Sequence, residues 1–418
     1  MKNYDIAVIG GGFSGCAAAL AAARNGASVI LIERINALGG APATMFVNPF
    51  MRNATIIGED TEPTQLSQGI FKELVGELRA RGAMFGNSFN PEYLKLILNR
   101  KMHEAGVDLL FNSYFVSASR TGGSITEITV ANKSGLVRVG AKIFIDCTGD
   151  ADVAFSAGFP TRHGRPGDGL CQPMTLCFLI GNVDTATFDS ELPNVVKLWL
   201  EEKKSGNIKN PMDGIMLFHT CFPDIIQLNA TRIVKRDPVD CFDITEADIE
   251  AREQMFELLE FLRKRLPSCA KADILASAVQ TGVRESRMID GEYTITSEEL
   301  VACARFPDAI AAGNYDIDIH NPEGSGTSHY FFPKGEYYTI PYRTLIPKGA
   351  KNLLVAGRCI SATHEAQASV RIMPIVCTLG EAAGTAAALA AASGIPVAEI
   401  NTEQLRETLR AQGAFLGC

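Results

Sequence analysis

The stretch that decides the fold is Asp5-Ile-Ala-Val-Ile-Gly-Gly-Gly-Phe-Ser-Gly-Cys16. Its apolar run, residues 6–9, is typical of a buried parallel strand. Gly10, Gly12 and Gly15 follow with G-x-G-x-x-G spacing. The first permits a tight turn, the second lets a pyrophosphate approach the backbone, and the third lets a helix pack closely on the strand. The stretch predicts a dinucleotide-binding turn, whereas a glycine turn in an ordinary α/β unit is the alternative.

The following residues complete a strand–helix–strand unit in register with this turn. Residues 17–23 predict a small-residue helix that ends at Asn25-Gly26, and residues 28–32 predict a second strand. Glu33 closes that strand, where a carboxylate accepts both ribose hydroxyls and repels a 2′-phosphate, so NADP is disfavoured. The N-terminus of the helix would face the phosphates. This unit alone leaves FAD and NAD both open.

Composition limits the class of protein. The chain has 418 residues, which exceeds the usual single core and predicts two or three domains. The net charge is −8 and no Lys/Arg run is visible, so no nucleic-acid partner is expected. The most apolar stretches, residues 17–23 and 385–392, are too short to span a bilayer, so no membrane insertion is expected. The first strand comes too early for a leader, and we expect a soluble, cytoplasmic protein.

Eleven scattered cysteines without a C-x-x-C motif argue against a disulfide framework and against a disulfide reductase, and no metal site is predicted.

Beyond the first unit, helices are predicted at residues 66–81, 91–105 and 246–265. Strands are predicted at residues 107–111, 114–119, 125–130, 137–139, 142–146, 174–180, 225–228 and 352–356. A small-residue helix is predicted to begin near Gly380.

These segments together carry a family resemblance. The first unit, the Gly39-Gly40 pair, the meander, the strand ending in Thr148-Gly149-Asp150 and the late Gly357-Arg358 strand resemble FAD-dependent oxidoreductases. The broad group contains the fumarate reductase and succinate dehydrogenase flavoproteins. Stretches 284–287, 318–320, 338–343 and 352–387 resemble the narrower family called FAD-dependent oxidoreductase.

The resemblance implies an α/β fold: a Rossmann-like FAD-binding domain of the glutathione-reductase type with an inserted α+β substrate domain. We expect residues 1–155 to form the first part of the FAD-binding domain, with a β-meander at about 114–140. Residues 156–340 would form the substrate domain, and residues 341–418 would complete the FAD-binding domain. We expect a small-molecule substrate as one partner. The sequence does not identify the electron acceptor or donor, and it allows a homo-oligomer.

The resemblance also implies cofactor contacts. The pyrophosphate would be bound by Gly10, Gly12, Ser14 and Gly15, the AMP ribose by Glu33, and the adenine would lie beside Arg34 and Val116. The loop from Gly40 to Thr44 would run along the flavin side, and Thr148 and Gly149 would form a second nucleotide contact. Gly357 and Arg358 would contact the pyrophosphate and ribityl chain, and the helix starting near Gly380 would point at the pyrimidine edge of the flavin. Residues 39–52 contain no histidine, so non-covalent FAD is preferred.

The fingerprint occurs once. Gly324-Ser-Gly326 lacks a preceding strand and a third glycine, so no dedicated NAD(P)H domain is predicted. Direct contact between substrate and flavin is favoured.

Four residues are candidates for catalysis. Arg284 lies three residues before Arg287, so on a helix the pair would share a face and could clamp a carboxylate, with ordinary ion pairs as the alternative. His320 ends a predicted strand, where it could act as an acid/base or be structural. His364 lies between the Gly-Arg strand and the last helix. Arg371 resembles the substrate-side arginine of fumarate reductase-like enzymes, without their Asn-Arg-Leu-Gly-Gly pattern.

Three functions are compatible with these features. The first is hydride transfer between a small polar or anionic metabolite and flavin N5, with His320 or His364 handling the proton. The second is a flavin monooxygenase using NAD(P)H and O2, which usually carries Gly-Asp where this chain has Gly357-Arg358. The third is a non-catalytic FAD-binding protein. A plain NAD dehydrogenase is disfavoured by the late Gly-Arg strand.

Overall fold

A computed structural model describes residues 3–417. Over these residues the strands are β1 (Asn3–Ile9), β2 (Val29–Ile32), β3 (Ala54–Thr55), β4 (Thr64–Gln65), β5 (Met84–Phe85), β6 (Ser88–Phe89), β7 (Asp108–Leu110), β8 (Tyr114–Thr121), β9 (Ser124–Asn132), β10 (Gly135–Asp146), β11 (Thr161–His163), β12 (Phe178–Gly181), β13 (Leu217–His219), β14 (Ile226–Leu228), β15 (Asp273–Ser277), β16 (Arg287–Ile289), β17 (Ala309–Gly313), β18 (Ile317–His320), β19 (Thr327–Tyr330), β20 (Tyr338–Pro341) and β21 (Leu353–Val355).

The α-helices of the same residues are α1 (Phe13–Arg24), α2 (Ala41–Thr44), α3 (Ile70–Ala80), α4 (Pro91–Glu104), α5 (Asp152–Ser156), α6 (Thr185–Lys204), α7 (Cys241–Arg265), α8 (Ser297–Val301), α9 (His364–Val370), α10 (Met373–Ser393) and α11 (Thr402–Ala411).

The main sheet joins the two ends of the chain. Its order is β7-β2-β1-β10-β9-β8, and β21 pairs with β10. Strands β7, β2, β1, β10 and β21 pair in parallel, with Ile6 beside Val29 on one side and beside Ile143 on the other. The carboxyl ends of these parallel strands therefore meet at one edge, where a doubly wound fold binds its ligand. The predicted α/β fold class is confirmed.

Strand β10 takes part in two kinds of pairing. Its start is antiparallel to β9, with Gly135 opposite Asn132, and its end is parallel to β1, with Ile143 beside Ile6. The prediction of separate strands at residues 137–139 and 142–146 is therefore wrong. The pattern changes within one strand because the first half is largely solvent-facing and the second half is covered on both faces.

Helices α1 and α10 pack backbone against backbone. A Cβ at Gly380 would overlap the carbonyl oxygen of Ser14, and a Cβ at Gly384 would overlap that of Ala18. The predicted start of the last helix near Gly380 is wrong, because α10 begins at Met373 and its first turns are apolar and buried. By length and composition α10 could cross a membrane, but 89% of its apolar window is buried inside the protein, as in a core helix.

The middle of the chain has its own core. A sheet of order β13-β14-β12-β15 packs with α6 and α7 around a cluster that includes Trp199 and Phe261. Helix α7 begins at Cys241, before the predicted residue 246, because the Asp240 carboxylate caps it by accepting from the N–H groups of Phe242 and Asp243. The predicted strand 174–180 is shorter, since Met174 and Thr175 make only isolated bridges. The domain limits at residues 155 and 340 stay a prediction.

Helix α3 begins at Ile70, later than the predicted residue 66, because Gly69 has a φ of 57° and cannot join the helix. Its first N–H, that of Ile70, donates to Oε2 of Glu381 at 3.1 Å. Glu381 is 2% exposed, and burial raises the pKa of its carboxyl from 4.5 to about 7. The carboxyl thus holds its proton in the folded protein at pH values where the unfolded chain has lost it.

The contribution of Glu381 to stability is therefore expected to fall as pH rises from 4.5 to about 7, because the folded state keeps a proton on this carboxyl there. We expect E381Q to raise the free energy of unfolding by about 1–3 kcal/mol near pH 8 and to change it little near pH 4.5. Urea unfolding at both pH values measures this, with E104Q on the exposed end of α4 as control. An equal effect of E381Q at both pH values would contradict the assignment.

Candidate active site

The fingerprint glycines shape a cradle at the edge of the main sheet. A Cβ at Gly15 would overlap the carbonyl oxygen of Gly10, and Gly10 itself has a φ of +101° and lies against Cys147. A Cβ at Gly12 would meet nothing within 4 Å, so open space lies beside this residue. Helix α1 has no side-chain cap and no acid in its first turn. Its positive end therefore has no side-chain counterpart in the described first turn, and the phosphate contact there stays a prediction.

Glu33 lies at the end of β2, next to this turn. Its Oε2 accepts from the Gly11 N–H at 2.6 Å, and its Oε1 accepts from the Ile35 N–H at 3.0 Å. These bonds fix the orientation of the carboxylate, which the resemblance assigns to the AMP ribose. Arg34 is exposed beside it, and Val116 is half exposed at an irregularity of β8 between Phe115 and Ser117. Both residues are therefore accessible to the adenine that the resemblance places there.

The loop after β2 covers the fingerprint turn. The Gly39 N–H donates to the Gly11 carbonyl oxygen at 2.8 Å, and a Cβ at Gly40 would lie 2.8 Å from the Cα of Gly12. The Thr44 hydroxyl donates to the Gly40 carbonyl oxygen at 2.9 Å, which closes the short helix α2. The loop is thus held where the resemblance places the flavin side of the cofactor.

Two further segments reach the cradle from β10 and β21. The Arg358 Nη2 donates to Oδ1 of Asp150 at 2.6 Å, beside Gly149, whose added Cβ would lie 3.0 Å from the same nitrogen. A Cβ at Gly357 would lie 3.5 Å from Cβ of Ser14. The Thr148 hydroxyl donates to Oδ1 of Asp146 at 2.7 Å, which shapes the turn after β10.

The cradle thus has the parts that FAD requires: room at Gly12, a free helix N-terminus and an anchored ribose carboxylate. Gly380 does not belong to it as predicted. It lies within α10 and packs on Ser14, so its role is close helix contact. The residue that directly precedes α10 is Ile372.

A second group of residues surrounds Gln172, which is 1% exposed. Its Oε1 accepts from the backbone N–H of His320 at 3.3 Å and from Nη2 of Arg371 at 3.2 Å. Its Nε2 donates to Oε1 of Gln367 at 3.3 Å, and its backbone N–H donates to Oε2 of Glu285 at 2.9 Å. Gln172 therefore connects its own segment to three others that are distant in the sequence.

Glu285 and His364 form a buried pair within this group. The Nδ1 of His364 and Oε1 of Glu285 are 2.7 Å apart, and both side chains are almost fully buried. Glu285 fixes the imidazole through Nδ1, while for Nε2 the structure of residues 3–417 gives no hydrogen-bond partner. A histidine held in this way presents one nitrogen for proton transfer.

His320 ends β18 as predicted, but its surroundings oppose an acid/base role. Nη1 of Arg232 lies 3.4 Å from its Nδ1, and Oδ2 of Asp318 lies 3.4 Å from its Nε2. A guanidinium can only donate, so Nδ1 accepts and Nε2 carries the hydrogen towards Asp318. Burial and the nearby Arg284 guanidinium lower the pKa of His320 to about 3. The ring is neutral and already engaged at both nitrogens.

Arg284 and Arg371 both reach the group. Nη1 of Arg284 donates to the Pro173 carbonyl oxygen at 2.7 Å and to the Thr175 hydroxyl. Burial and the charge of Arg371 lower the pKa of Arg284 to about 10, and burial also lowers that of Arg371. Both remain cations at neutral pH.

The prediction that Arg284 and Arg287 share a helix face is wrong. Residues 281–286 are not helical and Arg287 begins β16, so the two side chains do not share a helix face. Arg287 instead pairs with Asp152 and lies over the Phe155 ring. It belongs to the main-sheet side of the molecule.

The Gln172 group touches the cradle. Nε2 of Gln367 donates to the carbonyl oxygen of Arg284 at 2.9 Å and lies 3.5 Å from that of Arg358. Nη1 of Arg358 donates to the Val283 carbonyl oxygen at 2.7 Å. The two groups of residues are thus adjacent parts of one site.

Four residues of the site were not predicted from the sequence: Gln172, Arg232, Glu285 and Asp318. Glu285 and Asp318 lie in stretches that carry the resemblance, and their short spacing to Arg284 and His320 was the available signal. Gln172 and Arg232 lie in irregular segments without a recognisable pattern. Only the fold brings them to the site.

Comparison with known proteins now gives the class. The model of the FAD dependent oxidoreductase family matches residues 5–409, so the chain belongs to that family. It is an FAD-dependent oxidoreductase with a Rossmann-like fold, and the predicted cofactor, FAD, is confirmed. No curated protein matches the chain.

Three solved structures to which the chain is similar have TM-scores below 0.5. A geranylgeranyl bacteriochlorophyll reductase-like protein from Thermoplasma acidophilum has 13% identity and a TM-score of 0.49, over 99% of this chain and 85% of that one. A flavin-dependent brominase has 13% identity and a TM-score of 0.47, over 98% and 83%. The p-nitrophenol 4-monooxygenase of Pseudomonas putida has 11% identity and a TM-score of 0.45, over 97% and 84%.

Proposed function

We propose that the protein transfers hydride between a carbon of a small polar or anionic metabolite and flavin N5, with the substrate held at the Gln172 group. The observation that supports this best is the convergence of Arg284, His320, His364 and Arg371 on one hydrogen-bonded network beside the cradle. When bound, FAD supplies the hydride acceptor or donor.

The side chains of the protein would bind the substrate and transfer the proton. Arg284 and Arg371 bind and orient the substrate through its polar or charged groups. His364, oriented by Glu285, takes or gives the proton at Nε2. His320 remains neutral and holds Asp318 and Arg232 in place.

Anaerobic titration of the purified, FAD-loaded protein tests this proposal. The probes are small hydroxy, amino and saturated acids added to oxidised protein, and unsaturated or keto acids added to dithionite-reduced protein. We expect one class to bleach or restore the flavin absorbance without any nicotinamide. Flavin reduction by NAD(P)H alone, with oxygen consumption stimulated by an aromatic compound, would instead support a monooxygenase and contradict the proposal.

A further inference from the structure

Helix α7 carries a line of exposed apolar side chains on the face turned away from its own core. Phe242 is 79% exposed, and Ile249 and Phe256 are each 54% exposed. Because these residues are seven apart, they lie within about 20° of one line along the helix and span about 21 Å. A single exposed apolar residue is ordinary, whereas a line of them is typical of an interaction surface. We call these three residues the α7 stripe.

Charged residues flank the α7 stripe, and its two sides have opposite charge. With 3.6 residues per turn, Glu246 and Glu253 lie on one side of the stripe and Arg252 lies on the other. All three side chains are exposed, and none forms an ion pair within residues 3–417. Nη1 of Arg252 donates to the carbonyl oxygen of Asp248 at 2.8 Å, within its own helix. The face is therefore apolar along its middle, acidic on one side and basic on the other.

We propose that the α7 stripe is the contact between two copies of this chain, whose α7 helices pack in parallel about a two-fold axis. In this arrangement each stripe residue meets its own copy, so that Phe242, Ile249 and Phe256 form three apolar layers. The acidic side of each helix then lies against the basic side of the other, with Glu253 beside Arg252. This pairing occurs twice and satisfies charges that have no partner within one copy.

The same charges oppose the other occupants of such a face. In an antiparallel pair, the acidic side of one helix would meet the acidic side of the other, with Glu253 beside Glu246 of the second copy. An anionic lipid surface would be repelled by the same carboxylates. The seven-residue spacing also matches the seam of a left-handed helix pair. The proposal does not rest on the proposed function, because none of these residues belongs to the cradle or to the Gln172 group.

Sedimentation velocity of the full, FAD-loaded chain between about 1 and 200 µM tests self-association. One helix pair is a small interface, so we expect a dimer with a dissociation constant of about 1–100 µM. I249E places two carboxylates at the two-fold axis and should raise this constant about 100-fold or more. L136E, at a 71% exposed position of β10, is the matched control and should leave the constant unchanged. A parent chain that stays monomeric over this range, or an equal effect of L136E and I249E, would overturn the proposal.

Exchange of charges tests the parallel orientation. E253R should weaken the dimer about tenfold because two basic sides then meet, and R252E/E253R should restore it because the sides exchange their charges. In a C241S background, which removes an exposed thiol from the same helix, F242C and F256C should each form a disulfide with their own copy. A dimer that is strengthened by E253R, or one in which F242C links only to F256C, would be antiparallel and would contradict the proposed arrangement.

Discussion

The H364Q variant is expected to retain FAD and to lose about 10²- to 10⁴-fold in kcat, the range for removal of a general acid or base. The reason is the geometry of the Glu285 pair, which holds Nδ1 and leaves Nε2 for the substrate proton. KM should change little, since the arginines that bind the substrate remain. Flavin reduction by the active acid in a stopped-flow experiment measures the chemical step directly.

E285Q should show a smaller loss, because the glutamine still contacts the imidazole but no longer stabilises its charged form. H103Q, on the exposed face of α4, is the control and should keep the parental rate. The assignment would be wrong if H364Q reduced the flavin at the parental rate while H320Q did not. That result would move proton transfer to His320 despite its neighbours Arg232 and Asp318.

The G380V variant is expected to disrupt the protein at the backbone contact between α1 and α10. A Cβ at Gly380 would overlap the carbonyl oxygen of Ser14, which is backbone and cannot rotate away. We expect the smaller change G380A to lower the free energy of unfolding by about 1–3 kcal/mol, and G380V to lower it further. FAD affinity should fall as well, because Ser14 lies in the first turn of α1.

Urea unfolding and flavin fluorescence measure the two effects. The matched control is G76A in α3, where an added Cβ meets nothing within 4 Å and the backbone is helical. That substitution should raise the free energy of unfolding by about 0.4–1 kcal/mol. Equal stability of G380A and the parent would show that α1 and α10 separate at little cost.

The fold class and a dinucleotide-binding turn could be predicted from short local patterns, whereas the choice of FAD rested on the family resemblance of segments from both ends of the chain. The strand, the three glycines, the small-residue helix and Glu33 lie within one continuous segment, and nearby backbone atoms leave no room for a Cβ at Gly10 or Gly15. Element limits were less accurate where a distant residue sets them. Helix α3 starts late because of Gly69 and Glu381, and α10 starts early because its apolar first turns are buried.

The candidate site could be predicted from the sequence only in part. Arg284, His320, His364 and Arg371 were chosen by residue type and resemblance, and their chemical roles stay predictions. Their grouping depends on Gln172, which no local pattern marks. The structure also separates Arg287 from Arg284 and assigns the free histidine nitrogen to His364.

The sequence by itself thus determined the dinucleotide-binding unit, because backbone turns and strand burial depend on neighbouring residues. It also indicated FAD and the class of enzyme, through the resemblance of several segments to a known family. Only the tertiary structure decided which polar side chains share a site and what charge each carries. Burial, and charges brought together from distant segments, set the protonation of His320 and lower the pKa of Arg284. Neither can be read from spacing along the chain.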